Sequence, residues 1–496
     1  MPTLLQTALL GSERIGGVPT PPHASLLPAW NRIDWSGERE RALLEALAVS
    51  GVVRLAGVKP SHVGSPPCVC EPEVQPIAPS AACALLPRLF DEEWKSVLPE
   101  WLECCASGGW LAPAFYLPDL LNRAKTAEER LRAERVSGRR GRWLAQQNPD
   151  WSWLATPAPD ADEAVWETGT TEDRLRFFQT LRARDPARAR MLLEKSWTEE
   201  TPDTRSAAVA RMVLGLSHAD EPFLTGALAD RRREVRAAAQ QTLATLADSA
   251  FSQRQRERAA GLLSLKRGLV SSSLEVALPA AFDKEWKADG IEEKPPAGVG
   301  ERAYWFQQIL ALVPLAFWTR AYGLTLPRLL SLAEASADWS VLLLGGWFRA
   351  AILHRDPAAC AALADPVLKC IPCLPAGVSP ASALATLLEH CSERDRWTLV
   401  TQHPSWVWSV LPSLSGQPTM EQARPLLLLI APALRDGASP GGTPGAVAVA
   451  GKLPPLLREE AAGLLARESG FSKPAEAFLQ TLALRSALHR AFSCSS

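Results

Sequence analysis

Four stretches of this chain carry side chains with chemical potential, and each also has an ordinary structural explanation. Cys370-Ile-Pro-Cys373 is followed by His390, Cys391 and His403. Two thiols at that spacing suit a zinc ion or a dithiol couple. A zinc site calls for a second paired motif at finger or ribbon spacing, and two adjacent residues such as His390 and Cys391 seldom ligate one metal. No βαβ pattern surrounds the thiols, so idle thiols at helix ends are the plainer reading. A second stretch, Arg231, Arg232, Arg233 and Arg236, would contact phosphates or form a solvated corner between helices. A third runs from Arg123 to Arg142, with eight basic side chains against three acidic ones. It ends in "GRRGRWLAQQNPDWSWL", where Arg139, Arg140, Arg142 and Trp143 combine cations with aromatics as single-strand binders do. The alternative is arginine stems lying on tryptophan faces.

The fourth stretch, "GGTPGAVAVAGKLPP", imitates a phosphate loop and fails as one. One residue too many separates Gly445 from Gly451, Leu453 stands where a hydroxyl would meet magnesium, and Pro454 blocks the helix. The HExxH, GxSxG and GxGxxG patterns do not occur, and the seven histidines are scattered. No catalytic residue, cofactor site or metal site is therefore assigned. The candidate contacts with a partner or nucleic acid are Arg139, Arg140, Arg142, Trp143, Arg231, Arg232 and Arg233.

The elements that would position these residues are helices. From Val235 onward, Ala238, Ala239, Thr242, Leu243, Leu246 and Ala247 make one stripe, apolar except for Thr242. Phe223, Leu224, Ala227 and Leu228 form a shorter stripe before it. Asp220-Glu221-Pro222 signals a helix start with an acid as cap, and Ala229-Asp230-Arg231 a tight corner. The pattern has an earlier copy. Asp185-Pro186 opens a helix with Ala189, Leu192 and Leu193, and Thr201-Pro202 opens one carrying Val209, Met212, Val213 and Leu216. Arg205 and Arg236 are 31 apart and Asp185 and Asp220 are 35 apart, a drifting period of one helix pair per unit. "GLVSSSLEVALP" is the only stretch that reads as a strand.

The segments Val58 to Ser80, Ala155 to Glu163, Ala288 to Gly300 and Asp436 to Pro455 read as loops or linkers from their proline and glycine. They suggest a helical region over 1–163, a repeat block over 164–268 and a helical region over 269–496. The tryptophans number 18, including Trp151-x-Trp153 and Trp406-x-Trp408, where period-2 spacing on a helix would leave one ring of each pair exposed. The net charge of −1 argues against a polyanion binder by bulk charge, although the two arginine-rich stretches give the surface a basic and an acidic half. Met1 to Gly17 lacks the layout of a signal peptide, and no apolar run is long enough to span a bilayer, so the expectation is a cytoplasmic protein.

"DRRREVRAAAQQTLATL" resembles the second helix of a HEAT repeat. The resemblance covers residues 172 to 265 and implies a ladder of acids and arginines on successive units, with Asp230 and Arg236 in it and Asp203 with Arg205 as a looser copy. "LLGSER" at Leu9 to Arg14, the Arg139 to Leu154 segment and "GERAYWFQQILALVPLAFW" at Gly300 to Trp318 resemble a bacterial family of uncharacterised proteins of about this length. Genes of that family often lie near those for a SWIM zinc-finger protein, a MoxR-type ATPase and a von Willebrand A-domain protein. The expectation is an all-α chain: a HEAT- or ARM-like α-solenoid with flanking helical regions and at most a minor β element. It would act as a scaffold that docks a protein partner. Nucleic-acid binding through the arginine-rich half and an enzyme without a recognisable motif are the alternatives.

Overall fold

A computed structural model describes residues 17–21, 23–56, 68–155, 164–268, 271–375, 377–468 and 470–493. The "LLGSER" motif and nearly all of the Ala155 to Glu163 stretch lie outside them. The chain falls into two compact units, Met1–Val69 and Cys70–Ser496. In the first, the helices Leu27–Trp30 and Arg39–Ala56 enclose a small core of Leu26, Trp30, Ile33, Ala42 and Ala46.

The second unit is mostly helical. Its one sheet among the described residues is a two-stranded antiparallel ribbon, with Leu263–Arg267 paired to Ser272–Val276 and Leu265 opposite Leu274. The second strand falls in the segment that reads as extended. The first, "LSLKR", follows a helix directly and carries no turn signal of its own.

Helices Thr171–Arg184, Pro202–Arg211 and Arg233–Thr245 begin at residues 171, 202 and 233, two steps of 31. Thr170 and Thr201 cap the first two, their side chains accepting from the backbone N–H of Asp173 and Thr204. Pro186–Ser196 and Glu221–Ala227 lie between them. Ala189, Leu193, Ala208, Val209, Leu224, Ala239 and Leu243 are packed into one core. The helix opened by Thr201-Pro202 is shorter than its stripe suggests. It stops at Arg211, and Gly215 at φ 62° turns the chain.

Two segments rich in glycine or proline are not simple linkers. The Gly-rich tract contains the helix Gly442–Ala450, whose Ala446, Val449 and Ala450 are buried. Gly445 lets the chain fold tightly there, since a Cβ would stand 2.1 Å from the carbonyl oxygen of Pro440. Ala288–Gly300 has little regular structure, yet Asp289 and Ile291 are buried at its start. A composition of Gly and Pro reports backbone freedom, and apolar or charged neighbours still decide whether the segment packs.

The last helix, Lys473–Ser493, returns to the beginning of the unit. Its Leu484, Leu488, Ala491 and Phe492 join a core made with Ala82, Leu86, Trp101 and Val136. Among the described residues no helix is long and apolar enough to cross a membrane.

Candidate functional site

The helices that start 31 residues apart carry a repeated set of side chains. Trp166 and Trp197 each lie beneath an arginine of the following helix, Arg174 at 4.9 Å and Arg205 at 5.4 Å from the ring centre. Each arginine then meets a carboxylate just ahead of the next helix. Arg174 pairs with Glu200, and the Nε of Arg205 lies 3.0 Å from Asp230. The third member, Arg236, donates to the backbone oxygens of Asp230 and Arg231 and pairs with Glu292 at 3.1 Å. Asp203 is exposed in the first turn of its helix and takes no ion pair among the described residues. Sequence reading missed Arg174, Glu200 and both tryptophans, although the 31-residue spacing of Trp166 to Trp197 and Arg174 to Arg205 was there to find.

Arg231, Arg232 and Arg233 stand on the exposed corner before helix Arg233–Thr245. The backbone N–H of Arg232 donates to Asp230 at 2.8 Å, and Arg233 lies 3.7 Å from Glu292. Arg231 and Arg232 have no carboxylate partner among the described residues. The cation cluster therefore faces solvent, while Arg236 is drawn in to order the corner.

The other arginine stretch is built differently. Helix Ala127–Gln147 begins with a capping box between Thr126 and Glu129 and is broken at Gly138, where φ is 59° and ψ −158°. The second half starts afresh and needs its own cap. Glu73 supplies it from outside the helix, accepting from the backbone N–H of Arg139 at 2.9 Å and of Arg140 at 2.7 Å. The guanidinium of Arg139 pairs with Glu71 at 2.9 Å. Arg140 is exposed and Trp143 half-buried.

Between this kinked helix and helix Thr171–Arg184 runs a cleft of about 1170 Å³. Arg135, Arg139, Arg142, Arg176 and Arg211 line it, against Glu73, Glu134 and Glu172, over an apolar floor that includes Val74, Leu131 and Leu214. Three of the five arginines are engaged: Arg135 with Glu103 at 2.7 Å, Arg139 with Glu71, and Arg176 with Glu134 at 3.7 Å and Glu172 at 3.6 Å. Arg142 is exposed with no carboxylate partner among the described residues. Arg211 is half-buried, and among the described residues it donates to the backbone oxygen of Ala207 alone and keeps its Nε unpaired. Burial lowers its pKa, which marks a cation poorly repaid for its lost water. The cleft thus brings together Arg139 and Arg142, and leaves Arg231 to Arg233 outside it.

Helix Thr171–Arg184 also carries an arginine in an ion pair with no exposure at either side chain, Arg182 with Asp220. Arg182 spends its donors on both carboxylate oxygens and on the backbone oxygens of Pro186, Met212 and Leu214. Asp220, read from sequence as the cap of the next helix, makes no such bond to it. Its oxygens accept instead from Arg182, Arg190 and the backbone N–H of Ser217. A second cleft, of about 1010 Å³, is lined by a closed network in which Asp289 accepts from Arg254 and Arg258.

No ring of the two Trp-x-Trp pairs is exposed. Trp151 is buried with its Nε1 on Asn122, Trp153 lies under Arg130 at 5.6 Å, and Trp406 and Trp408 are half-buried. These short segments pack from several sides, so the two faces of a period-2 pair are both covered. Among the described residues no group of three or more His, Cys, Asp or Glu could hold a metal ion. His403 faces Asp365 at 3.0 Å, and Cys391 lies near Cys360 rather than completing a set with Cys370 and Cys373.

No curated protein and no solved structure matches the chain. The profile of a family of unknown function, DUF5691, matches residues 3–492. On that match, which spans nearly the whole sequence, the chain belongs to the DUF5691 family.

Proposed function

We propose that the chain is a scaffold: a HEAT-like solenoid that docks an acidic segment of a partner protein in the arginine-lined cleft. The observation that carries this is the cleft's lining, five arginines against three glutamates over an apolar floor, with Arg142 and Arg211 without carboxylate partners among the described residues. An acidic peptide with apolar residues would pair with those two cations and cover Leu131, which is 57% exposed, and Val74, 79% exposed. The HEAT-like reading draws support from the 31-residue register of tryptophan and arginine, with a carboxylate 30 residues from its counterpart receiving each arginine. The resemblance to a family encoded near ATPase genes is what supports an ATPase-linked bacterial assembly as the proposed setting.

The test compares the full-length chain with an Arg139→Glu, Arg142→Glu variant for binding of acidic and neutral fluorescent peptides and of single-stranded DNA, at low and at high salt. Tighter binding of the acidic peptide by the native chain, lost in the variant, supports the scaffold. Nucleic-acid binding that falls steeply with salt and needs Arg231 to Arg233 would replace it with the nucleic-acid reading.

A further inference from the structure

The Cys-x-x-Cys segment, which the scaffold reading leaves unused, is set up for a reaction. Cys370 and Cys373 flank the 3-10 turn Ile371–Cys373 between helices Pro357–Lys369 and Pro380–His390. The backbone N–H of Cys373 donates to the carbonyl oxygen of Cys370 at 2.9 Å. A turn closed in this way holds the Cα atoms of its first and fourth residues within the span a disulfide bridges. Both residues are free thiols. Their exposures differ: Cys370 is half-buried and Cys373 is 2% exposed. Burial pushes the Cys373 thiol up to about 12, with the half-buried guanidinium of Arg349 only a small opposing influence. The turn is seated tightly on helix Ser340–Leu353, where a Cβ on Gly345 would come 2.6 Å from the carbonyl oxygen of Cys373.

We propose that Cys370 and Cys373 form a reversible dithiol–disulfide site that exchanges with small-molecule disulfides. Cys370, the accessible thiol, attacks as the thiolate on one sulfur of the small disulfide. A mixed disulfide forms, the small molecule's S–S bond breaks, and one small thiolate leaves with a proton taken from solvent. Cys373 then gives up its proton to solvent and attacks the sulfur of Cys370. The Cys370–Cys373 bond forms, the mixed disulfide breaks, and the second small thiolate leaves. The protein loses two electrons and two protons, and the small disulfide gains them as two thiols. The product locks the turn joining the two helices.

The test treats the full-length native protein with oxidised glutathione, alkylates the remaining thiols and maps tryptic peptides by mass. Cleavage after Lys369 and Arg394 releases a peptide holding Cys370, Cys373 and Cys391, so Cys391 serves as an internal control. The expected result is a peptide two hydrogens lighter, alkylated at Cys391 alone, and restored to three alkylated thiols by dithiothreitol. Cys373→Ser should stop at one glutathione on Cys370, and Cys370→Ser should take none at Cys373. Alkylation of all three thiols after oxidation, or a bond from either cysteine to Cys391, would overturn the proposal. The native protein alone decides this, whether or not the serine variants fold.

Discussion

Glu100 and Arg485 stand 385 residues apart and share a two-pronged ion pair, with Nε to Oε2 at 2.5 Å and Nη2 to Oε1 at 3.0 Å. Arg485 is fully buried, and its Nη1 also donates to the backbone oxygens of Ala450 and Leu453. His489, one turn further on, donates Nε2–H to the same carboxylate at 2.6 Å. The last helix is thereby latched to helix Leu98–Ser107 by charge as well as by apolar contact. Glu100→Ala leaves a buried guanidinium without its anion. It should lower stability by about 3–5 kcal/mol in chemical denaturation. A loss under about 1 kcal/mol would mean that the latch is not closed in solution.

The same cluster sets a pH dependence. Hydrogen bonds to Cys104 and Glu100 raise the pKa of His489 to about 9. Its folded value lies above the unfolded one, so its contribution is complete below about pH 6.5 and fades as the pH climbs to about 9. The melting temperature of the native protein should fall over that window, and His489→Gln should flatten the fall. Equal slopes for the two proteins would count against a protonated His489.

Arg182 and Asp220 give a second stability test. Asp220→Ala strands a fully buried arginine and should cost about 3–5 kcal/mol. Arg231→Glu, on the solvated corner, should change stability by less than about 0.5 kcal/mol. Comparable losses from the two would contradict the burial that separates them.

Gly138 links backbone geometry to the cleft. Its φ of 59° with ψ of −158° is open to glycine alone, and a Cβ there would come 2.6 Å from a carboxylate oxygen of Glu73. Gly138→Ala should cost about 1–3 kcal/mol and displace the cap on Arg139 and Arg140. Hydrogen exchange at those two amides should speed up. Unchanged protection would mean that Glu73 is not their acceptor.

The sequence by itself determined the helical character, the helix pairs from Asp185 to Thr245 and most residues on their buried faces, because helix periodicity and capping are local; Val213, Leu216 and Ala247 of the expected stripes fall beyond their helices. It determined the family as well, since that is a property of residue order. The Arg205 to Arg236 spacing was legible for the same reason, and the Trp166 to Trp197 spacing was equally present. Only the tertiary structure decided which arginine meets which carboxylate: Arg205 with Asp230, Arg182 with Asp220, Arg485 with Glu100. A charge finds its partner across space, and no period announces a contact between residues 385 positions apart. Packing likewise decided that the glycine-rich tract folds as the helix Gly442–Ala450, and that Arg139 and Arg142 line a cleft while Arg231 to Arg233 do not. Composition describes what a segment can do alone, and burial against distant elements chooses among those options.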